Sequence, residues 1–354
     1  MVVDPQPVEV MIWTNAERGP LVQAVVDRMG AAVVIVGVGG PDAPERERLA
    51  SRWGCASGDD FRKLLIDRPG RYVLIAMCDG LQEGDFAAAV AQGAVVLTLE
   101  PVSSALDEWI ASRHRTRSLV GATATVEDPN PGRSSKGKGF ELGRVVQLPS
   151  LARSPGWLSA ADPAEAVGAA RLIAISSFGQ RKQWSLYAHL FDAWKVVLGW
   201  ASLPVTVDAS WTGPGDRVPE DVRQVTGHLS AHARLRNGCG ATVSVSDLAG
   251  CHHRRLEVVG DGGHLTLEDR AYRLWDTQGD ELDRLADRSA IPVGFDELIA
   301  GQWLGLMRGG VGAAETGRIV HDSDVVACCL ASLLSARTGE PERPQRLLEL
   351  HGFA

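Results

Sequence analysis

The chain has 354 residues, enough for one large domain or two ordinary ones, each with its own core. Its 44 acidic and 36 basic residues give a net charge of −8, which argues against a dedicated nucleic-acid surface. With 45% hydrophobic residues and no apolar stretch as long as a membrane span, wholesale disorder and a membrane-embedded protein are both excluded as expectations.

Lys63, Lys136, Lys138, Lys182 and Lys195 are the only lysines, so a reaction that needs a lysine has five candidates. The six cysteines form no CxxC pair, and Cys328 and Cys329 sit inside an apolar helical pattern, where buried free thiols are expected. Met1 to Pro7 has no basic segment followed by an apolar run, so no signal peptide is expected. A reducing, cytoplasmic setting follows.

Val8–Trp13 is a short apolar run, followed by a loop at Thr14–Pro20 and a helical pattern at Leu21–Met29. Ala31–Val38 is a continuous apolar and β-branched run, the pattern of a parallel strand buried on both faces. Helices are predicted at Ala43–Trp53, Asp59–Asp67 and Asp85–Gln92, with strands at Arg71–Met77 and Ala94–Glu100. This alternation predicts a doubly wound, Rossmann-like parallel sheet.

Leu106–Arg113 reads as helical, and Thr125–Gly143 is dense in Gly, Pro, Ser and charge. Its Ser134-Ser135-Lys136-Gly137-Lys138-Gly139 core lacks P-loop spacing, so a solvated surface loop is the preferred reading.

The second half has another texture. Strands are predicted at Ala170–Ser177, Val205–Trp211, His228–Arg236, Ala241–Ser246, Arg255–Val259 and His264–Leu267, with Asn237-Gly238 and Asp261-Gly262-Gly263 as hairpin turns. Helices are predicted at Ser185–Trp200, 295–308 and 323–337. The fold class is therefore α/β plus α+β: a Rossmann-like domain at 1–115, then a domain at 116–354 with a large, mostly antiparallel open sheet. The last helix is expected to pack back on the first domain.

Three local patterns, in this order, resemble the Gfo/Idh/MocA oxidoreductases. Val95-Val96-Leu97-Thr98-Leu99-Glu100-Pro101 is similar to the strand that ends the family's first domain in Glu-Lys-Pro. Ser185 to Asp192, with His189 between them, is similar to the family's Asp-x-Gly-x-His-x-x-Asp helix, which ends in Leu-Gly as here at Leu198-Gly199. The hairpin from Leu256-Glu257-Val258-Val259-Gly260 through Gly263-His264-Leu265-Thr266-Leu267-Glu268-Asp269 resembles the family's "ixGxxGxlxl" hairpin.

That resemblance implies NAD or NADP bound over the C-terminal edge of the parallel sheet, and a small-molecule substrate, with carbohydrate-like compounds among the candidates, between the cofactor and the second sheet. It also implies hydride transfer at a hydroxyl carbon of a sugar, polyol or related compound. A homodimer or homotetramer through the C-terminal sheet is the implied assembly, with neither nucleic acid nor membrane as partner.

The residues depart from the family at each chemical requirement. A pyrophosphate needs a Gly-rich turn that lets backbone N–H groups approach it. The segment here is Trp13-Thr14-Asn15-Ala16-Glu17-Arg18-Gly19, with Trp13 and Asn15 in the places of the first two glycines. Thr14, Asn15, Arg18 and Gly19 are the remaining cofactor candidates, with Arg18 as partial compensation for the charge of Glu17. Asp42 is the candidate ribose anchor, although capping of the helix that begins near Ala43 is preferred for it. Cys78 and Pro101 complete the cofactor set.

For proton transfer, Glu100 stands in the place of the family's lysine; it is a base if desolvation raises its pKa, but it cannot stabilise an alkoxide by charge. His189 is the best catalytic candidate, with a packing histidine as its competitor. Asp192, one turn later, either orients it or faces polar solvent, and Lys182, in the loop before that helix, is the candidate substitute lysine, with a solvated loop lysine as the commoner reading.

Cys251-His252-His253 with His228 and His232 is weighed as a zinc site and set aside, so no metal is expected. Among Trp157, Trp184, Trp211, Trp275 and Trp303 core packing is the default, and Trp184 is placed near a pocket. Two functions remain open: an NAD(P)-dependent oxidoreductase with an altered glycine loop and lysine, and a catalytically silent or cofactor-independent relative serving as a ligand-binding or partner subunit.

Overall fold

A computed structural model describes residues 6–78, 80–102, 145–287, 293–309 and 320–352. The expected helix at Leu106–Arg113 and the 125–143 loop lie outside these residues.

The first sheet contains β1 (Val8–Trp13), β2 (Val33–Gly39), β3 (Ala56–Gly58), β4 (Tyr72–Ile75), β5 (Val95–Thr98) and β6 (Val145–Gln147). All six are parallel, in the order β3-β2-β1-β4-β5-β6. Every residue of β4 is buried, as is the last two-thirds of β1, because helices cover both faces of a parallel sheet. Those helices are α1 (Gly19–Met29), α2 (Ala43–Trp53), α3 (Phe61–Asp67) and α4 (Glu83–Ala91). Pro20 and Pro44 open α1 and α2, where a missing N–H costs nothing. The strand order reverses between β1 and β4, which places a crevice outside their C-terminal ends.

The second sheet has eight strands in the order β14-β13-β12-β11-β7-β10-β9-β8, antiparallel except for the β7–β10 pair. They are β7 (Ala170–Gln180), β8 (Thr206–Thr212), β9 (His228–Arg234), β10 (Gly240–Ser246), β11 (Leu248–Gly260), β12 (Gly263–Glu268), β13 (Tyr272–Asp276) and β14 (Glu281–Leu285). Period-two burial puts Ile173, Ile175, Val243, Val245, Leu256 and Val258 on the inner face.

After α5 (Pro155–Ala160) and β7, α6 (Leu186–Trp200) lies on β7 and β10 across that inner face, with α8 (Asp322–Thr338) beside it against β8 and the first-domain core reaching Ala188. These contacts bury twelve of its fifteen residues. Ser185 caps α6 by accepting from the Ala188 N–H at 3.0 Å.

Between them α7 (Phe295–Gly309) ties the domains together. Phe295, Ile299, Trp303 and Leu306 join one core with Trp184, Ala188 and the residues of β1 and α1, and the Trp303 ring stands 6.1 Å from that of Tyr72.

Several elements differ from expectation. A short helical turn at Gly30–Ala32 delays the second strand to Val33. β3, with three residues, is too short to show a pattern. The first sheet reaches past residue 115, because β6 adds to it from Val145–Gln147. β11 starts at Leu248 rather than Arg255, so Cys251 lies within the strand. β13, β14 and α9 (Pro344–Leu350) were not expected. It is α7, not the expected last helix at 323–337, that packs on the first domain; that helix, α8, packs on α6 and β8, and α9 packs on α8.

Candidate functional site

The loops after β1, β4 and β5 meet the second domain at the crevice. The first of these loops has backbone N–H groups taken by its own Asn15 and by Asp42 of the loop after β2. The Ala16 N–H donates to the Asp42 carboxylate at 2.8 Å, and the Arg18 N–H donates to the Asn15 side chain at 2.9 Å. The Gly19 N–H donates to the Asn15 carbonyl at 2.8 Å. Asp42 sits at the N-cap position of α2, but its carboxylate makes no bond to that helix, so its role is across the loops rather than along the chain.

The neighbouring loop is pressed close. A Cβ at Gly39 would overlap the Trp13 ring, and one at Gly40, whose φ is +152°, would overlap the Thr14 carbonyl. A Cβ at Gly19 would overlap the Glu45 carboxylate. Trp13 also meets Phe61 edge-on at 5.4 Å, which fixes its ring. Glu17, Asp42 and Glu45 thus set three carboxylates around the N-terminus of α1.

Arg18 leaves this loop and crosses to Glu100. Its Nη2 donates to Glu100 Oε1 at 2.5 Å, with the two side chains 8% and 15% exposed. Glu100 also accepts from the Ser185 N–H at 3.1 Å and from the Ser185 hydroxyl. One carboxylate therefore joins the start of α1 to the start of α6, where the helix end favours negative charge. Burial pushes the Glu100 carboxyl upward, opposed by Arg18, by the Ser185 hydrogen bonds and by Arg223. A second guanidinium nitrogen of Arg18, Nη1, is buried and has no hydrogen-bond partner among the described residues.

A cavity of about 110 Å³ opens against this pair. Asn15, Glu17 and Arg18 form one wall, Met77, Cys78, Glu100 and Pro101 a second, and Arg181, Ser185, Tyr187 and Arg223 the third. Arg223 is fixed there by donating to the Val102 carbonyl at 2.8 Å.

Of the residues singled out in the sequence, Asn15, Arg18, Cys78, Glu100 and Pro101 share this cavity, while Thr14, Gly19 and Asp42 support the loop beside it. Lys182 is exposed and off the cavity wall; its neighbour Arg181 lines the wall instead. Arg181, Tyr187 and Arg223 were not foreseen. The strongly arginine-rich basic set was a signal that arginine would carry the site's charge, but nothing in the spacing marks Arg223, 205 residues from Arg18 in sequence, as its neighbour.

His189 and Asp192 belong to a buried polar cluster behind the cavity. His189 is fully buried, its Nδ1 2.8 Å from the Ser177 hydroxyl and its Nε2 directed at Gly179, where a Cβ would crowd it. Burial, then the nearby His252, Arg254 and Arg18, hold the imidazole well below its ordinary pKa, so it is neutral. The His252 ring stacks on His189 at 6.3 Å and stands 3.3 Å from Asp269.

Asp192 accepts from Arg254 at 2.9 Å and from the Leu151 N–H at 3.2 Å. Arg254, 1% exposed, also donates to Asp269 through two nitrogens and to the Pro149 carbonyl at 3.2 Å. Trp184 separates this cluster from the first domain: it is fully buried, lies 5.7 Å from Arg254, and donates to the Leu99 carbonyl. Among the described residues no group of three or more His, Cys, Asp or Glu side chains is arranged to hold a metal ion, and Cys251 and His253 point outward from β11.

The fold is shared with solved dehydrogenases. A levoglucosan dehydrogenase, solved with NADH and L-sorbose, superposes with a TM-score of 0.65 at 14% identity, covering 96% of this chain and 99% of that one. An oxidoreductase from Agrobacterium radiobacter, solved with NAD+, L-tartaric acid and magnesium, gives 0.64 at 13% identity over 96% and 99%. A UDP-N-acetylglucosamine 3-dehydrogenase from Acidithiobacillus ferrooxidans gives 0.60 at 14% identity over 93% and 98%. At such identities the likeness is one of fold, and it is the two-domain fold that the Gfo/Idh/MocA resemblance implied. No protein-family model matches the chain. No curated protein sequence matches it either.

Proposed function

We propose that this chain is a cofactor-independent relative of the NAD(P)-dependent dehydrogenases, binding a small molecule in the cleft between its domains. The observation that carries this reading is the turn after β1, whose N–H donors at Ala16, Arg18 and Gly19 are already taken by Asp42 and Asn15. A dinucleotide pyrophosphate binds such a turn through free N–H groups at the positive end of a helix. Here it would meet Glu17, Asp42 and Glu45 instead, so the residues present do not fit the group.

The proton chemistry supports the same reading. Glu100, in the place of the family's lysine, is engaged by Arg18 and Ser185, and His189 is buried and neutral with no place on the cavity wall.

Calorimetric and fluorescence titration of the full chain with NADH and NADPH is expected to show no binding at millimolar concentration. A dissociation constant of about 10 μM or tighter for either would overturn the reading.

The second reading is an NAD(P)-dependent dehydrogenase acting on a sugar, a polyol or a related hydroxyl compound. It is favoured by the shared fold and by His189 at the matching position of α6. It requires Asp42 to leave the Ala16 N–H when the cofactor binds. In either reading, assembly as a homodimer or homotetramer through the outer face of the second sheet is proposed, together with a cytoplasmic location. No described helix is long and apolar enough to cross a membrane.

A further inference from the structure

We propose that the cavity is a binding site for a small monocarboxylate, held by Arg18 and Arg181 with Arg223 behind them. The inference rests on the reading of the cleft as a ligand site without a dinucleotide, and it names the ligand class.

Three observations converge on it. Arg18 is 7% exposed, lines the cavity, and keeps its Nη1 without an acceptor among the described residues. A buried cationic donor left unmade is costly, and an oxyanion is the group that satisfies it most fully. Glu100 cannot do so, because its two oxygens are already shared between Arg18 Nη2 and the two donors of Ser185.

Charge sets the valence. Three arginines and two glutamates line the cavity, leaving one positive charge in excess. A single carboxylate balances that surplus. A phosphate dianion would exceed it and would face both Glu17 and Glu100.

Size sets the rest of the molecule. At about 110 Å³ the cavity is well below the roughly 300–1,000 Å³ typical of sites for larger ligands. Met77, Pro101 and the Tyr187 ring supply the less polar wall, suited to a two- or three-carbon chain. A planar carboxylate presents two oxygens that Arg18 and Arg181, both on the cavity wall, can share as charge-assisted acceptors.

The test is calorimetry on the full chain with glycolate, L-lactate and pyruvate, with glycolamide as the neutral isostere and inorganic phosphate as the competing anion. At least one carboxylate is expected to bind at least about tenfold more tightly than glycolamide and than phosphate. Arg181→Gln is expected to weaken that carboxylate by about tenfold while leaving the unliganded melting temperature unchanged, since Arg181 is exposed. Arg18→Met is expected to abolish binding.

No heat with any carboxylate at 10 mM, on the order of the weakest useful affinity, would overturn the inference. So would equal binding of glycolamide, tighter binding of phosphate, or an Arg181→Gln variant that binds like the parent. These failures are separable from failure of the underlying reading. Tight NADH binding would remove the cofactor-independent assignment, whereas a chain that binds neither NADH nor carboxylate would remove this inference alone.

Discussion

Arg18 and Arg254 are two buried arginines with opposite degrees of satisfaction. Arg254 uses all three guanidinium nitrogens, on Asp269, Asp192 and the Pro149 carbonyl, beneath the Trp184 ring. Arg18, which lines a cavity, uses one nitrogen on Glu100 and leaves another, buried, without a partner among the described residues. The first is closed chemistry and holds the second domain together. The second is open chemistry, and an open buried donor is a place for a ligand. The contrast separates a structural ion cluster from a binding site more reliably than charge or burial alone, because both arginines are charged and both are buried.

The largest expected effect breaks the closed partner. Arg254→Leu leaves Asp192 and Asp269 buried without their cation and is expected to cost about 3–5 kcal/mol in urea unfolding followed by tryptophan fluorescence. Adding Asp269→Asn to that variant is expected to recover part of the loss. A cost below about 1 kcal/mol for Arg254→Leu would mean the cluster is not closed in the sense argued.

Arg18→Met comes next. It removes one charge-assisted bond and leaves Glu100 with its two Ser185 donors, so about 1–3 kcal/mol is expected in the same assay. If this variant proved as costly as Arg254→Leu, the distinction between the two arginines would collapse.

The histidines beside Arg254 sharpen the comparison through pH. Both His189 and His252 are held below their ordinary pKa, chiefly by burial, so the unfolded chain binds more protons than the folded one once pH falls below about 6.5. Stability is expected to be flat with respect to these groups above that pH and to fall below it. The slope is at most about 1.4 kcal/mol per pH unit for each histidine. His189→Gln is expected to reduce the slope between pH 6.5 and 5, as read from unfolding midpoints at fixed ionic strength. An unchanged slope would show that His189 is not buried as a neutral ring.

The smallest expected effect is Arg181→Gln. An exposed side chain on the cavity rim is expected to change stability by less than about 0.5 kcal/mol. A larger loss would make Arg181 part of the framework rather than of the site.

The fold was legible in the sequence because burial leaves a period. β2 and β4 read as continuous apolar runs, and β9 and β10 as alternation, so the parallel and antiparallel sheets announced themselves. Short or polar elements did not: β3 has three residues, and β14 alternates no apolar face.

The candidate site was legible in part. Position along the chain singled out Asn15, Arg18, Cys78, Glu100 and Pro101. What could not be read was pairing. Glu100 is 82 residues from Arg18, and no local pattern shows that the residue in the lysine's place is answered by an arginine from the glycine loop. Asp42 looked like a helix cap because caps are local, whereas its bond to the Ala16 N–H spans 26 residues. Arg254 lay in a basic run whose partners, Asp192 and Asp269, come from two other elements.

The central claim is that the turn after β1 is closed to a dinucleotide by its own Asn15 and by Asp42 from the loop after β2. A crystal structure of the chain grown with millimolar NADH tests it most directly. Asp42 on the Ala16 N–H, Arg18 on Glu100, and no pyrophosphate at the start of α1 are expected. A pyrophosphate on the Ala16 and Gly19 N–H groups, with Asp42 turned away, would contradict it.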